Sequence, residues 1–205
     1  MKRNNSQLIK LEQSLMNGRN RGLIFNYREL QQRQLTRQWM VNLEHPGMSF
    51  RSSHSMEALL EKGIPPLLRS QVWPLLIGNV LKITPEVYEI YKTRALGNHR
   101  SSIDSADISE FGKETTVRLI DEDLKRTFVP LGFFSIGEPM YMKIHELLLI
   151  YAFYRPDIGY VQGMSFIAGI LAVHIPDSYL CFQCLANLLG SEHLIAFYSL
   201  KVGFY

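Results

Sequence analysis

The sequence predicts an all-α fold. Nearly every periodic stretch carries apolar residues at intervals of three and four, no run alternates with the two-residue period of a half-buried strand, and no hairpin turn separates such runs. At 205 residues the chain is long enough for one domain with a substantial core, or for one and a half, but short for two.

Each element can be justified in order. Residues 7–16 place Leu8, Leu11 and Leu15 on one face, and Gly18 supplies a stop. Residues 27–43 repeat the pattern through Leu30, Leu35, Trp39 and Leu43, ending before Pro46. Residues 56–62 form a short helix closed by Gly63, and Ile64, Pro65 and Pro66 impose an extended approach to the next one. That helix carries Leu67, Leu68, Val72, Leu75 and Leu76 before Gly78. Arg69 and Trp73 stand four residues apart on it, so the guanidinium can lie against the indole or reach a neighbouring helix end. A structural clamp is the better reading of that pair.

Thr84 reads as an N-cap with Pro85 in the first turn of a helix that reaches Leu96 and Gly97. Residues 98–113 turn polar and read as an exposed connection. A helix over 114–125 follows, then a loop through Val129, Pro130, Leu131 and Gly132. Pro139 starts a long helix to Tyr154, interrupted at Arg155 and Pro156. Residues 158–173 predict a strongly apolar helix, and Asp177 is placed to cap the last full one. There is no internal repeat and no low-complexity tract.

Composition narrows the function classes. The formal charge of +3 is mild, although Lys2, Arg3, Lys10, Arg19, Arg21, Arg28, Arg33 and Arg37 crowd the first fifth of the chain. Such a bias could attract an anionic membrane or an acidic partner; cations on solvated helix faces are the favoured reading. No basic run interleaved with aromatics and no zinc-finger spacing supports nucleic-acid binding. The first residues lack the apolar run of a secretory signal and no stretch approaches bilayer length, so a cytoplasmic location is expected.

Cys181 and Cys184 form a Cys-x-x-Cys, but a zinc site needs two more ligands and a thioredoxin-like site needs a strand-helix-strand pattern. Neither accompanies them. The expectation is core packing in a buried helix and no metal. No phosphate-cradling Gly-rich lysine loop and no metal-binding helix signature supports an active site complete in itself, and His145 and His174 read as core or edge residues.

Two short segments carry the chemistry. Ile120, Asp123 and Arg126 recur at three-residue intervals, so Asp123 can reach toward Arg126 and hold it in one rotamer, aimed at an anion. From spacing alone a plain surface ion pair, worth at most about 1 kcal/mol, is the stronger reading. In the second segment, Tyr160 and Gln162-Gly163 open the predicted helix over 158–173, which places Gln162 where a helix N-terminus favours an anionic ligand. A carboxamide donates and accepts at once, which is what orienting a nucleophilic water beside a phosphate requires. Helix capping by Gln162 explains it equally well, and Gly163 would allow close approach by a neighbouring backbone or a ligand.

Taken jointly and in order, Gly63, Pro65, Arg69 and Trp73, then Ile120, Asp123, Arg126 and Thr127, then Tyr160, Gln162, Gly163 and Met164 closely resemble the motifs of the TBC domain of Rab GTPase-activating proteins. The resemblance runs from about Ser55 onward. It implies a multi-helical TBC-like domain over 55–205, preceded by a helical extension over 1–54, with the C-terminal half of the domain expected to be missing. It implies that Arg126 is an arginine finger and Gln162 a glutamine finger, both acting in trans on GTP hydrolysis by a Rab-type GTPase. Asp123 would orient Arg126, while Ile120, Thr127, Tyr160 and Gly163 would shape the two sites and Arg69 and Trp73 would serve as scaffold. An arginine finger contributes roughly 10³ to 10⁵ in rate. No cofactor of the chain's own is implied, since GTP and Mg2+ come with the partner, and peripheral association with endomembranes fits such a role. The alternative function is a helical module that binds a GTPase or trafficking partner without stimulating it.

Overall fold

A computed structural model of the chain describes residues 21–44, 54–97, 110–132 and 134–198. The expected helix over 7–16 lies outside these residues, as do residues 98–109 of the polar connection expected over 98–113; residues 110–113 of that connection belong instead to a helix. Among the described residues every regular element is helical: α1 (Arg21–Glu44), α2 (His54–Glu61), α3 (Arg69–Ile77), α4 (Pro85–Leu96), α5 (Glu110–Leu124), α6 (Pro139–Tyr154), α7 (Met164–His174), α8 (Ser178–Leu189) and α9 (Glu192–Tyr198), with 3₁₀ turns at Pro66–Leu68 and Val129–Leu131. The class is all-α, as the periodicity predicts. Two helices begin earlier than their apolar pattern: α1 takes in Gly22 and α5 takes in Gly112, because one interior glycine costs only about 1 kcal/mol.

The chain divides into two compact units, Met1–Val72 and Trp73–Tyr205. In the first, Trp39 of α1 is fully buried and its indole N–H donates to the Gly63 carbonyl at 3.0 Å. Gly63 ends α2 with a φ of +85°, the left-handed conformation that glycine adopts without a Cβ clash. Met56, Leu59 and Leu68 are buried in the same unit.

In the second unit α6 is the central helix, packed by α4, α5, α7 and α8. Residues 147–153 are buried without a break, which is the pattern of a helix covered on all sides rather than along one stripe. Thr84 caps α4 by accepting from the Val87 amide, and Asp177 caps α8 by accepting from the Leu180 amide at 2.6 Å. Lys143 of α6 donates to the carbonyls of Ala172, Ile175 and Pro176 at 3.3, 2.7 and 2.9 Å. One ammonium thus satisfies the carbonyl groups at the C-terminal end of α7 and faces the negative end of its dipole. Asn187 of α8 accepts from the Leu81 amide at 2.9 Å and donates to the Asn79 side chain at 3.2 Å, fastening the loop between α3 and α4.

Cys181 and Cys184 are fully buried on α8 among core side chains, and burial pushes both thiols up to about 12. They act as small hydrophobes. No single described helix is long and apolar enough to cross a membrane; α8 and α9 pass that test only as a pair, bent by 79° at a break.

One expected element differs. The helix predicted over 158–173 begins only at Met164, because Gly159 and Gly163 have φ of +65° and +94° and cannot belong to a right-handed helix. The segment from Arg155 instead closes on itself, with the amides of Ile158 and Gly159 both donating to the Arg155 carbonyl. The Tyr160 to Gly163 segment is therefore a turn ahead of α7 rather than its first turn.

Replacing Lys143 by Met keeps the aliphatic stem and removes three charge-assisted hydrogen bonds. Urea denaturation of the Lys143→Met chain should show a loss of about 1–3 kcal/mol of unfolding free energy relative to the unaltered chain.

Candidate functional site

The site is built where α5 ends and α7 begins. After Leu124 the chain tightens: the Arg126 and Thr127 amides donate to the carbonyls of Asp123 and Leu124, three residues back, each at 3.1 Å. The Thr127 hydroxyl also lies 2.8 Å from the Asp123 carbonyl, one of two acceptors within reach of its single proton. Phe128 then takes a φ of +47°, rare for a residue with a side chain, and the helix cannot continue. Arg126 is therefore presented on a turn beyond the helix, with its side chain 54% exposed.

Asp123 stands at the centre. Only 1% of it is exposed, and a carboxylate taken out of water is costly unless donors surround it. Four do. Arg126 Nε donates to Oδ1 at 2.7 Å, while the Gly163 amide and the Ser165 hydroxyl each donate to Oδ2 at 2.8 Å. The Tyr160 hydroxyl is the fourth, in a short hydrogen bond to Oδ2. Burial on its own would raise the Asp123 pKa, but the hydrogen bonds from Tyr160, Gly163, Arg126 and Ser165 outweigh it and hold the carboxyl below its ordinary 3.8. The same pairing works in reverse on Tyr160, whose phenol is pushed up by burial and by donation to Asp123.

The ion pair expected from the spacing of Asp123 and Arg126 is therefore present, but it is not a plain surface pair. One partner is fully buried and anchored from three other directions. At the helix start that sequence reasoning assigned to an external anion, the Gly163 amide and the Ser165 hydroxyl both donate to the Asp123 carboxylate. Gln162 sits one residue ahead of that amide, exposed on the turn, with no side-chain hydrogen bond to any described residue. Arg126 and Gln162 thus project from two turns joined by one carboxylate.

Thr127 and Gly163 join this cluster, and Tyr160 closes it. Ile120 is fully buried in the hydrophobic core. Within the first unit Arg69 Nε donates to the Ile64 carbonyl at 3.2 Å, and within the second Trp73 meets His174 edge to face at 4.8 Å. His145 lies 3.4 Å from Asp121, which also accepts from Tyr141, so it belongs to the packing of α5 on α6. Sequence reasoning missed Ser165. It is fully buried, between the Asp123 carboxylate and the Thr127 hydroxyl, and its place three residues after Gln162 was the only hint. Among the described residues no cluster of three or more metal-ligating side chains occurs.

Such a unit is an all-helical domain that presents an arginine and a glutamine from two turns locked by a shared aspartate. The Rab-GTPase-TBC domain family matches residues 66–202, and the chain belongs to that family. It is 40% identical over 154 residues to TBC1 domain family member 12 of Mus musculus, covering 72% of this chain and 22% of that protein. It is 38% identical over 159 residues to TBC1 domain family member 14 of Homo sapiens, covering 74% of this chain and 23% of that protein. Drainin of Dictyostelium discoideum is 27% identical over 176 residues, 67% of this chain and 40% of that protein. The chain thus spans under a quarter of the first two relatives' lengths.

Because the native pKa of Asp123 is depressed, its contribution to stability is complete above the ordinary carboxylate range and is lost as pH falls through the lower native value. Asp123→Asn should cost about 2–4 kcal/mol at neutral pH, since an amide offers the four donors a poorer acceptor and no charge. Unfolding curves from pH 7 down to pH 2 should show this gap constant above about pH 5 and shrinking progressively as pH falls through 3.8 and below.

Proposed function

We propose that this chain accelerates GTP hydrolysis by a Rab-family small GTPase, supplying Arg126 and Gln162 to the partner's active site. The observation that carries the reading is the shared carboxylate: Asp123 binds Arg126 Nε through one oxygen and the amide next to Gln162 through the other. Family membership supplies the partner class, and the geometry supports a division of labour between the two side chains.

Arg126 has its Nε committed to Asp123, so the guanidinium is held by its inner edge. Its terminal nitrogens make no hydrogen bond to any described residue, and the side chain is 54% exposed. A guanidinium held this way can offer two parallel N–H groups to phosphate oxygens without first being ordered, which is how a positioned cation stabilises charge developing on a transferring phosphoryl group. Gln162 can donate through its amide nitrogen and accept through its oxygen, so one side chain can fix a water for in-line attack. GTP and its Mg2+ belong to the partner; the chain contributes side chains and no cofactor.

Single-turnover GTP hydrolysis by a panel of Rab-type GTPases, with and without the chain, tests this. Stimulation of at least one GTPase is expected. Arg126→Ala should reduce the stimulated rate by about 10³-fold or more, and Gln162→Ala by about 10²-fold. A chain that captures a GTPase in a pull-down assay yet leaves its hydrolysis unchanged would instead be an interaction module, and the activating role would be withdrawn.

A further inference from the structure

We propose that Ser165 is a positioning residue for Arg126, joining the turn that carries this arginine to the helix that starts behind Gln162. The inference rests on the activating role proposed for the same site. Asp123 fixes the Arg126 side chain through Nε, but a side chain is only as well placed as the backbone beneath it. Thr127, next in sequence and 1% exposed, places its hydroxyl 2.8 Å from Ser165 Oγ. Ser165 Oγ is in turn 2.8 Å from Asp123 Oδ2. When Thr127 gives its one proton to Ser165 Oγ rather than to the Asp123 carbonyl, the two hydroxyls donate in series, ending on the carboxylate, an arrangement in which each bond polarises the next. Ser165 is fully buried, so water has no access to replace it.

One turn further along the same face of α7, Gly169 continues the seat. A Cβ there would lie 3.3 Å from a ring carbon of Phe128, so the ring rests almost on the helix backbone. Phe134 and Phe166 hold that ring from two other sides, with centroids 5.7 and 5.1 Å away. Phe128 has its strained φ of +47°, a conformation that persists only where the surroundings over-determine it. The face of α7 that begins at Ser165 thus holds Thr127 by a hydrogen bond and Phe128 by shape, and Arg126 is the residue immediately before them.

Removing the Ser165 hydroxyl leaves Thr127 its contact with the Asp123 carbonyl and leaves Asp123 three of its donors, so the fold should survive while the tie between the turns is lost. In the whole 205-residue chain, Ser165→Ala should raise the midpoint of the Asp123 carboxyl titration, read by carbon-13 NMR. With a GTPase that the unaltered chain stimulates, the maximal single-turnover rate should fall about tenfold, with the half-saturating concentration of the chain unchanged. Thr127→Val should give a similar fall, and the double variant should be little worse than either single one, because both hydroxyls act through one bond. An unmoved Asp123 midpoint, an undiminished maximal rate, or losses that simply add would each overturn the assignment. Should Ser165→Ala fail to fold, Ser165→Cys, slightly larger and with a weaker donor at the same position, carries the same comparisons. If the unaltered chain stimulates no GTPase, the proposed function fails by itself, while the Asp123 titration still decides whether Ser165 is coupled to the carboxylate.

Discussion

The carboxylate of Asp123 is removed from water and surrounded by four donors drawn from two segments far apart in sequence. An uncompensated charge in that position would cost several kcal/mol, so the donors cannot drift without penalty. Arg126 and Gly163 are both bound to it, and each determines where an exposed polar side chain leaves the surface. The turn that carries Arg126 and the turn that carries Gln162 are tied to each other through this group. Its depressed pKa means that the constraint stays in force across the neutral range.

The turns that meet at Asp123 are shaped by backbone conformations that end helices. Phe128 and Gly163 both adopt positive φ, one with a side chain that its neighbours must hold and one without. Glycine takes this conformation at no steric cost, whereas Phe128 relies on the aromatic packing over Gly169. Behind both turns lies α6, buried along its second half and contacted by four other helices, which gives α5 and α7 a common support. Lys143 fixes the far end of α7 to the same helix. Rigid elements carrying short turns hold side chains more closely than long loops do.

Several elements were legible from sequence because their signals are local. Thr84 with Pro85, Asp177 ahead of α8, and Pro139 at the start of α6 are stop and start signals whose physics acts within one helical turn, and the helices begin where they point. The buried cysteines follow from the apolar run around them. The start of α7 was misplaced because apolar periodicity continues through residues 158–163 although the backbone there turns left-handed twice. Gly159 and Gly163 allow that conformation without demanding it, so composition could not choose between a helix and a turn. Ser165 was overlooked for a related reason: a serine inside an apolar helix carries no pattern until its partners are known.

By itself the sequence determined the helical class, the order of the helices and which residues were chemically unusual, since periodicity, caps and side-chain type are properties of neighbours along the chain. It also supplied the Asp123 and Arg126 pair, because residues three apart meet wherever the chain turns as a helix does. Only the tertiary structure decided that Asp123 is buried, that the second segment closes on it, and that the amide beside Gln162 and the guanidinium of Arg126 bind opposite oxygens of one carboxylate. Those facts depend on α5 and α7 packing against α6, a relation between distant segments that local spacing does not encode.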